Sequence, residues 1–205
     1  MPNIGYEYDV FISYRRTDPV GGWVHNHFFP LLEMWLRESF PPGRHPRIYI
    51  DKKIEAGAEW DESLRYALLR SRCLVSVWSP QYFGREWCLA EWRSMRERER
   101  ILRQRDNPKL TLVYPVKFND GDSFPPQETG KVQYNDLSMF NCPFAQFKNS
   151  VLYLDFDRKM REVAEDVARI ALAAPEWEAG WPLVDVLAPS PLTTDSATIP
   201  LLRLT

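Results

Sequence analysis

The chain reads as an α/β domain with a five-stranded parallel sheet and helices on both faces, in a doubly wound, flavodoxin-like order. Three features predict this. Short apolar runs rich in β-branched and aromatic residues recur along the chain, amphipathic segments of helical spacing stand between them, and polar turn-forming stretches separate the two. Alternation of this kind forces crossover connections and buries a parallel sheet on both sides.

The first strand is "YDVFISY", Tyr8 to Tyr14, closed by polar "RRTD". Phe28, Leu31, Leu32, Trp35 and Leu36 then follow helical spacing, and Pro30 marks either a kink or a helix start. "PRIYID", Pro46 to Asp51, is the second strand, followed by the glycine-containing loop "KKIEAGAEW". Trp60, Leu64, Ala67 and Leu68 form the apolar stripe of the next helix, and "CLVSVWS", Cys73 to Ser79, is the third and central strand.

The stretch "GREWCLAEWRSMRERER" is the third helix, with Cys88, Trp92, Met95 and Leu102 toward the sheet and Arg93, Arg96, Glu97 and Arg100 toward water. "KLTLVYPVKF", Lys109 to Phe118, is the fourth strand, and "NDGDSFPPQETGK" is a loop by its Asn, Asp, Gly and Pro content. "VLYLDF", Val151 to Phe156, is the expected fifth strand. The final helix, "DRKMREVAEDVARIALAA", carries a stripe of Met160, Val163, Ala164, Val167 and Ile170. The domain is expected to span residues 1–174. Residues 175–205, rich in Pro, Ser and Thr, form a tail in which Trp177 and Trp181 latch onto the domain and the rest links or docks.

Bulk composition narrows the partners. Lys+Arg 26 against Asp+Glu 28 leaves a net charge of −2, which gives no electrostatic reason to expect nucleic acid or an anionic membrane. Cys73, Cys88 and Cys142 stand apart from one another, and His25, His27 and His45 have no metal-ligand spacing. Reduced thiols, no disulfide framework and no metal are therefore expected. The N-terminus lacks a basic region followed by an apolar one, and no apolar run approaches the roughly 18 residues of a spanning helix, so a cytoplasmic protein is expected.

In doubly wound sheets, ligands bind outside the carboxyl ends of the strands near the point where strand order reverses. The loops "YRRTD", "DKKIEAG" and "SPQYFGREW" are therefore where chemistry is sought. Trp87 and Glu91 stand four residues apart on one helix and share a face. Either Trp87 packs and Glu91 is solvated, or the two frame a pocket for a flat cationic ligand. Arg15 and Arg16 end the first strand, where a guanidinium suits a pyrophosphate or bridges to a nearby acid. Tyr14 beside them stacks on a ligand ring or packs. Cys88 falls on the sheet-facing stripe, as a core thiol.

These loops, in this order, resemble a Toll/interleukin-1 receptor (TIR) domain. "YDVFISY" is similar to the first family signature, "IYIDKKIEAG" to the second, called the BB loop, and "SLRYALLRSRCLVSVWSPQYFGREWCLAEW" to the run from second to third helix. The resemblance covers roughly Tyr6 to Ala174 and departs from the family where "VLYLDF" lacks the usual Phe-Trp of its third box. It implies one of two kinds of module: an adaptor that only self-associates, or an enzyme that cleaves NAD+. The enzymatic kind carries Trp-x-x-x-Glu on its third helix, matched here by Trp87 and Glu91. "DVFISYRR" and "IDKKIEAG" are similar to the animal axon-degeneration NADase, and "WCLAE" to plant immune-receptor TIRs.

By this resemblance Glu91 is the catalytic residue, and Trp87, Tyr14, Arg15 and Arg16 contact the substrate. Asp51, Lys52, Ile54 and Gly57 belong to a BB loop that gates the site and meets a neighbouring subunit. NAD+ is implied as substrate, with no separate cofactor, and partners are other TIR domains, with a sensor domain or partner for the tail. The implied role is immune or cell-death signalling, on the pattern of bacterial antiphage defence. A phosphoacceptor receiver on the same fold is set aside, because "YRR", "SPQ" and "DFDRK" do not supply its acids and lysine.

Overall fold

In the computed structural model, residues 5–51, 62–119 and 121–184 are described. Among them, five strands form one sheet in the order β2-β1-β3-β4-β5: β1 (Tyr8–Tyr14), β2 (Ile48–Ile50), β3 (Ser71–Trp78), β4 (Val113–Lys117) and β5 (Asn135–Asp136). Every pairing is parallel, with Val10 opposite both Ile48 and Cys73, and Leu74 opposite Val113. The chain thus runs from β1 outward to β2, then back across to β3. The strand order reverses around β1, and the loops after β1 and β3 diverge there.

The period-two alternation of β1 divides the core. Val10, Ile12 and Tyr14 join one apolar layer with α1 (Val20–Trp23), α2 (Phe29–Ser39) and α7 (Leu152–Ala173). Phe11 joins the other, with α3 (Glu62–Leu69), α4 (Pro80–Phe83) and α5 (Glu86–Arg105). A one-turn helix, α6 (Pro126–Thr129), interrupts the long stretch expected to be loop. Between α1 and α2, residues Val24–Phe28 are wound as a π-helix, and Pro30 lies in the first turn of α2. The proline's missing N–H falls where the wider winding ends, so the ladder loses little. The stripe Phe28, Leu31, Leu32 and Leu36 is buried.

One expected element is corrected. "VLYLDF" is not the fifth strand: Leu152 onward is the first turns of α7, a 22-residue helix, and the fifth strand is the two-residue β5. The reason lies in the period. Phe156 is fully buried in line with Met160, Val163 and Val167, whereas Val151 and Leu154 are exposed at 82% and 60%. That is the spacing of a helix face, and no breaker separates the run from the helix that follows. The apolar cluster was dense enough to mimic a buried strand.

After α7 the chain turns back along the second layer. Trp177 Nε1 donates to the Leu69 carbonyl at 3.0 Å, the Arg70 guanidinium sits 4.3 Å from its ring, and Trp181 is buried beside Arg98. No described helix is long and apolar enough to cross a membrane.

Candidate functional site

The strand parity that splits the core also builds the site. Ser13 and Tyr14 end β1 pointing to opposite faces, Ser13 toward α5 and Tyr14 toward the layer of α1. On the Tyr14 side, its hydroxyl donates to the Asp51 carbonyl at 2.6 Å and lies 2.8 Å from His25 Nε2. With its one proton committed to Asp51, Tyr14 accepts from a His25 that carries hydrogen on Nε2. The two rings meet edge to face at 5.6 Å. Tyr14 is buried, and burial pushes its phenol well above the usual range. It ties the end of β1 to the end of β2.

Arg16 follows β1 and forms an ion pair with the Asp51 carboxylate. Its backbone is held close to α1: a Cβ added at Gly21 would stand 2.1 Å from the Arg16 carbonyl oxygen, so only glycine fits there. Arg15 is half-buried, and its Nε has no hydrogen-bond partner among the described residues.

On the Ser13 side lies α5. Its N-terminal approach is fixed by "SPQYFG". Ser79 caps α4, accepting from the Tyr82 N–H at 3.2 Å, and Pro80 occupies the first turn. Tyr82 is completely buried, with its hydroxyl 2.8 Å from Ser13 Oγ and donating to the Cys88 carbonyl at 3.1 Å. One turn further along α5, Glu91 is only 5% exposed. The Ser13 hydroxyl and the Arg16 charge both favour its ionisation, while Asp51 opposes it. Desolvation outweighs these and raises the carboxyl to about 7. Glu91 is therefore a buried acid poised near neutrality, backed by one neutral hydroxyl and faced by an Arg–Asp pair.

The structure thus brings Tyr14, Arg16, Asp51 and Glu91 to one end of the sheet. Of the two arginines left open by the sequence, Arg16 figures among the groups that shift Glu91 and Arg15 does not. Trp87 lies one turn before Glu91 on α5, half-buried against the second apolar layer. Cys88 is buried, its thiol pushed well up by desolvation and set 3.7 Å from the Tyr14 carbonyl, as a weak donor. Lys52, Ile54 and Gly57 lie outside the described residues, as does Trp60.

Sequence reasoning did not single out Ser13, Tyr82 or His25 as parts of the site. The available signals were slight: a polar residue at the carboxyl end of an apolar strand, on the parity facing the third helix, and a tyrosine in a capped turn. A cleft of about 420 Å³ between α5, β4 and α7, lined by Arg96, Glu99, Tyr114, Tyr134 and Asp166, does not include Glu91. Its polar groups largely satisfy one another, as in the bond from Tyr114 to Asp166 at 3.1 Å. Among the described residues, no three His, Cys, Asp or Glu side chains come together to hold a metal.

Comparison with known proteins follows the same outline. The family model described as "TIR domain" matches residues 10–151, well over half of the chain. Among curated proteins, Toll-like receptor 13 of Mus musculus is 32% identical over 84 residues, which are 41% of this chain and 8% of the receptor. The chain thus matches only a small part of that relative's length. Among solved structures, the TIR domain of the Toll-related receptor TRR-2 from Hydra magnipapillata aligns at a TM-score of 0.45 and 17% identity. That alignment covers 75% of this chain and 98% of the other. The TIR domains of the activated Roq1 resistosome recognising the pathogen effector XopQ align at 0.39 and 26% identity, over 80% and 85% of the two chains.

Proposed function

The chain belongs to the TIR domain family, and on that premise we propose that it cleaves the nicotinamide–ribose bond of NAD+, with Glu91 as the catalytic residue. The observation that carries this reading is the Glu91 carboxyl, 5% exposed and raised to about 7, at the ligand-binding end of a doubly wound sheet. A merely solvated helix glutamate would show neither property.

The reaction suits one carboxylate. The C1′–N1 bond breaks with its electron pair leaving on the pyridine nitrogen, so nicotinamide departs neutral and needs no acid. Positive charge develops on the ribose as an oxocarbenium ion. An ionised Glu91 beside the ribose stabilises that charge in a site where burial strengthens the interaction. Water then attacks C1′ to give ADP-ribose and a proton, or an internal nucleophile of the product closes a cyclic isomer. Trp87 lines the nicotinamide side, with cation–π attraction of about 0.5–2 kcal/mol while the ring is charged. Arg16, already placed by Asp51, meets the pyrophosphate, and Tyr14 holds the two strand ends beneath it. The BB loop, from Asp51 through Gly57, meets a neighbouring TIR domain on assembly, and self-association raises activity by shifting the population toward the competent state. The setting is cytoplasmic immune or cell-death signalling, with the C-terminal tail docking a sensor or partner.

The test is nicotinamide release with chromatographic product analysis, at low and crowded protein concentrations, for the parent, Glu91→Gln and Glu91→Ala. Both variants are expected to fall by about 100- to 1000-fold with the fold intact. Because the ionised form acts, kcat/KM of the parent is expected to rise with pH through about 7 and then level off. A parent that releases no nicotinamide at any concentration would overturn the reading. It would favour the second one, a TIR adaptor working only through TIR–TIR contacts, which the 32% identity to a mouse receptor supports.

A further inference from the structure

Tyr14 and Arg16 stand two residues apart where β1 ends, and a single stretch of helix addresses both. Gly21 of α1 approaches Arg16 so closely that an added Cβ would stand 2.1 Å from its carbonyl oxygen. Four residues further, where α1 passes into the π-helix, His25 Nε2 lies 2.8 Å from the Tyr14 hydroxyl. Positions four apart share a helix face, so one face is laid along the carboxyl end of the strand. π-Windings of this kind recur at functional sites.

The Tyr14 hydroxyl has one proton and two acceptors within reach, the Asp51 carbonyl at 2.6 Å and His25 Nε2 at 2.8 Å. His25 decides between them. A ring with hydrogen on Nδ1 alone offers a bare Nε2 that competes for the tyrosine proton. A ring with hydrogen on Nε2, neutral or cationic, donates to Tyr14 and leaves the carbonyl as the acceptor. A hydroxyl that accepts one hydrogen bond is also the stronger donor in the next. Asp51 is thereby held twice: its carbonyl by Tyr14, and its carboxylate by the ion pair with Arg16.

We propose that His25 is a positioning residue for the pyrophosphate of the substrate: by donating to Tyr14 it commits the tyrosine proton to the Asp51 carbonyl, and Asp51, so fixed, presents the Arg16 guanidinium to the diphosphate. This rests on the reading of the chain as an NAD+-cleaving enzyme in which Arg16 meets the pyrophosphate. His25 touches no reacting atom and acts only through Tyr14 and Asp51. Its packing and its hydrogen bond are separable, because the ring also meets Tyr14 edge to face at 5.6 Å. His25→Phe keeps a ring for that contact and removes the donor. His25→Gln removes the ring and keeps an N–H donor at the end of the side chain.

The experiment compares turnover of NAD+ with turnover of nicotinamide riboside, which has the same scissile bond and no phosphate, and measures ADP-ribose binding by calorimetry. His25→Phe is expected to raise KM for NAD+ and Kd for ADP-ribose by about 5- to 10-fold, the factor set by one misplaced hydrogen-bonding group, with kcat changed less than about twofold. Turnover of the riboside should stay within about twofold of the parent's. His25→Gln should recover most of the lost affinity. In a Tyr14→Phe background, His25→Phe should add nearly nothing, because the relay is already cut. Equal losses on both substrates, or a His25→Gln as weak as His25→Phe, would reduce His25 to a packing residue and overturn the proposal. Independently of activity, nitrogen-15 NMR of the parent's neutral ring, assigned by its loss in His25→Gln, should place the proton on Nε2. A proton on Nδ1 alone would overturn the proposal, and this spectrum carries the test if His25→Phe does not fold. A parent inactive on NAD+ would sink the proposed function, whereas an active parent with His25→Phe unaltered would sink the role of His25 alone.

Discussion

The two longest helices, α5 and α7, cover opposite faces of the same sheet and bury very different things. Along α7 the buried set is Phe156, Met160, Val163, Ala164, Val167, Ala168 and Ala171, apolar without exception. Along α5, Cys88, Ala90, Trp92, Met95 and Leu102 are interleaved with Glu91, Ser94, Arg98 and Glu99, all buried. An apolar stripe alone anchors a helix, as α7 shows, so the ionisable groups of α5 are not needed to dock it. Burying each of them costs free energy unless partners compensate.

The compensation is uneven, and the unevenness is informative. Glu99 takes an ion pair from Arg96 and another from Arg103 at 2.9 Å, and it accepts from the Leu112 N–H at 2.8 Å. Arg98 donates to the carbonyls of Ser71 and Leu68 at 2.9 and 3.2 Å, though burial still lowers it to about 10. Both tie α5 to the amino ends of the strands. Glu91, at the other end of the helix, is influenced by the neutral Ser13 hydroxyl and has its carboxyl raised to about 7 by desolvation. The helix is cemented at one end and left electrostatically tense at the other. Firm pairing and electrostatic tension are separated along a single element.

The largest expected effect tests the generic side of that contrast. Phe156→Ala removes a fully buried ring from the α7 layer and should cost about 3–5 kcal/mol, nearly the same at pH 5 and pH 8. Denaturant unfolding at both values checks it, and a strong pH dependence would break the distinction between the helices. Next comes Glu91→Gln. The native state holds the Glu91 proton more tightly than the unfolded chain does, so the parent's stability is greatest below the unfolded value and falls as pH rises through about 7. Removing the acid should therefore stabilise the fold by about 3 kcal/mol at pH 8 and by little at pH 5. Thermal melts at the two values decide, and a variant less stable at pH 8 would mean that Glu91 is better solvated than its burial indicates. The smallest effect is Trp177→Phe, which keeps a ring against Arg70 but loses the bond to the Leu69 carbonyl. About 1 kcal/mol is expected, read by the same unfolding curves.

How far each helix could be read in advance follows the same divide. Apolar periodicity is a local signal, and it placed the first four strands and the sheet-facing Cys88, Trp92, Met95 and Leu102 of α5. It failed where two periods overlap, in "VLYLDF", whose leucines and aromatics fit a short strand as well as the first turns of a helix. It was silent on Arg98, whose carbonyl partners Leu68 and Ser71 are remote in sequence, and on Glu99, whose Arg96 and Arg103 partners are local but whose burial against the Leu112 N–H is not. Glu91 was singled out by motif resemblance, whereas the Ser13–Tyr82 contact spans 69 positions and leaves no pattern in either segment. Long-range pairing of polar groups carries no periodicity, and so it is visible only once the fold is assembled.

The brevity of β5 bears on how this molecule behaves among its own copies. Its ladder pairs only Val116 and Lys117 of β4, so on that side the upstream residues Val113, Tyr114 and Pro115 face Lys131–Asn135 across the cleft instead of a bonded strand. Phe118 N–H donates inward to the Trp78 carbonyl, and with alternating directions the nitrogen of residue 115 points outward. A proline there removes the donor from one of the two outward nitrogens, those of residues 113 and 115, that an incoming strand would seek, at no loss to the existing sheet. That stretch of the border is thereby a poorer template for an added strand, a small piece of protection against edge-to-edge pairing written into a single residue.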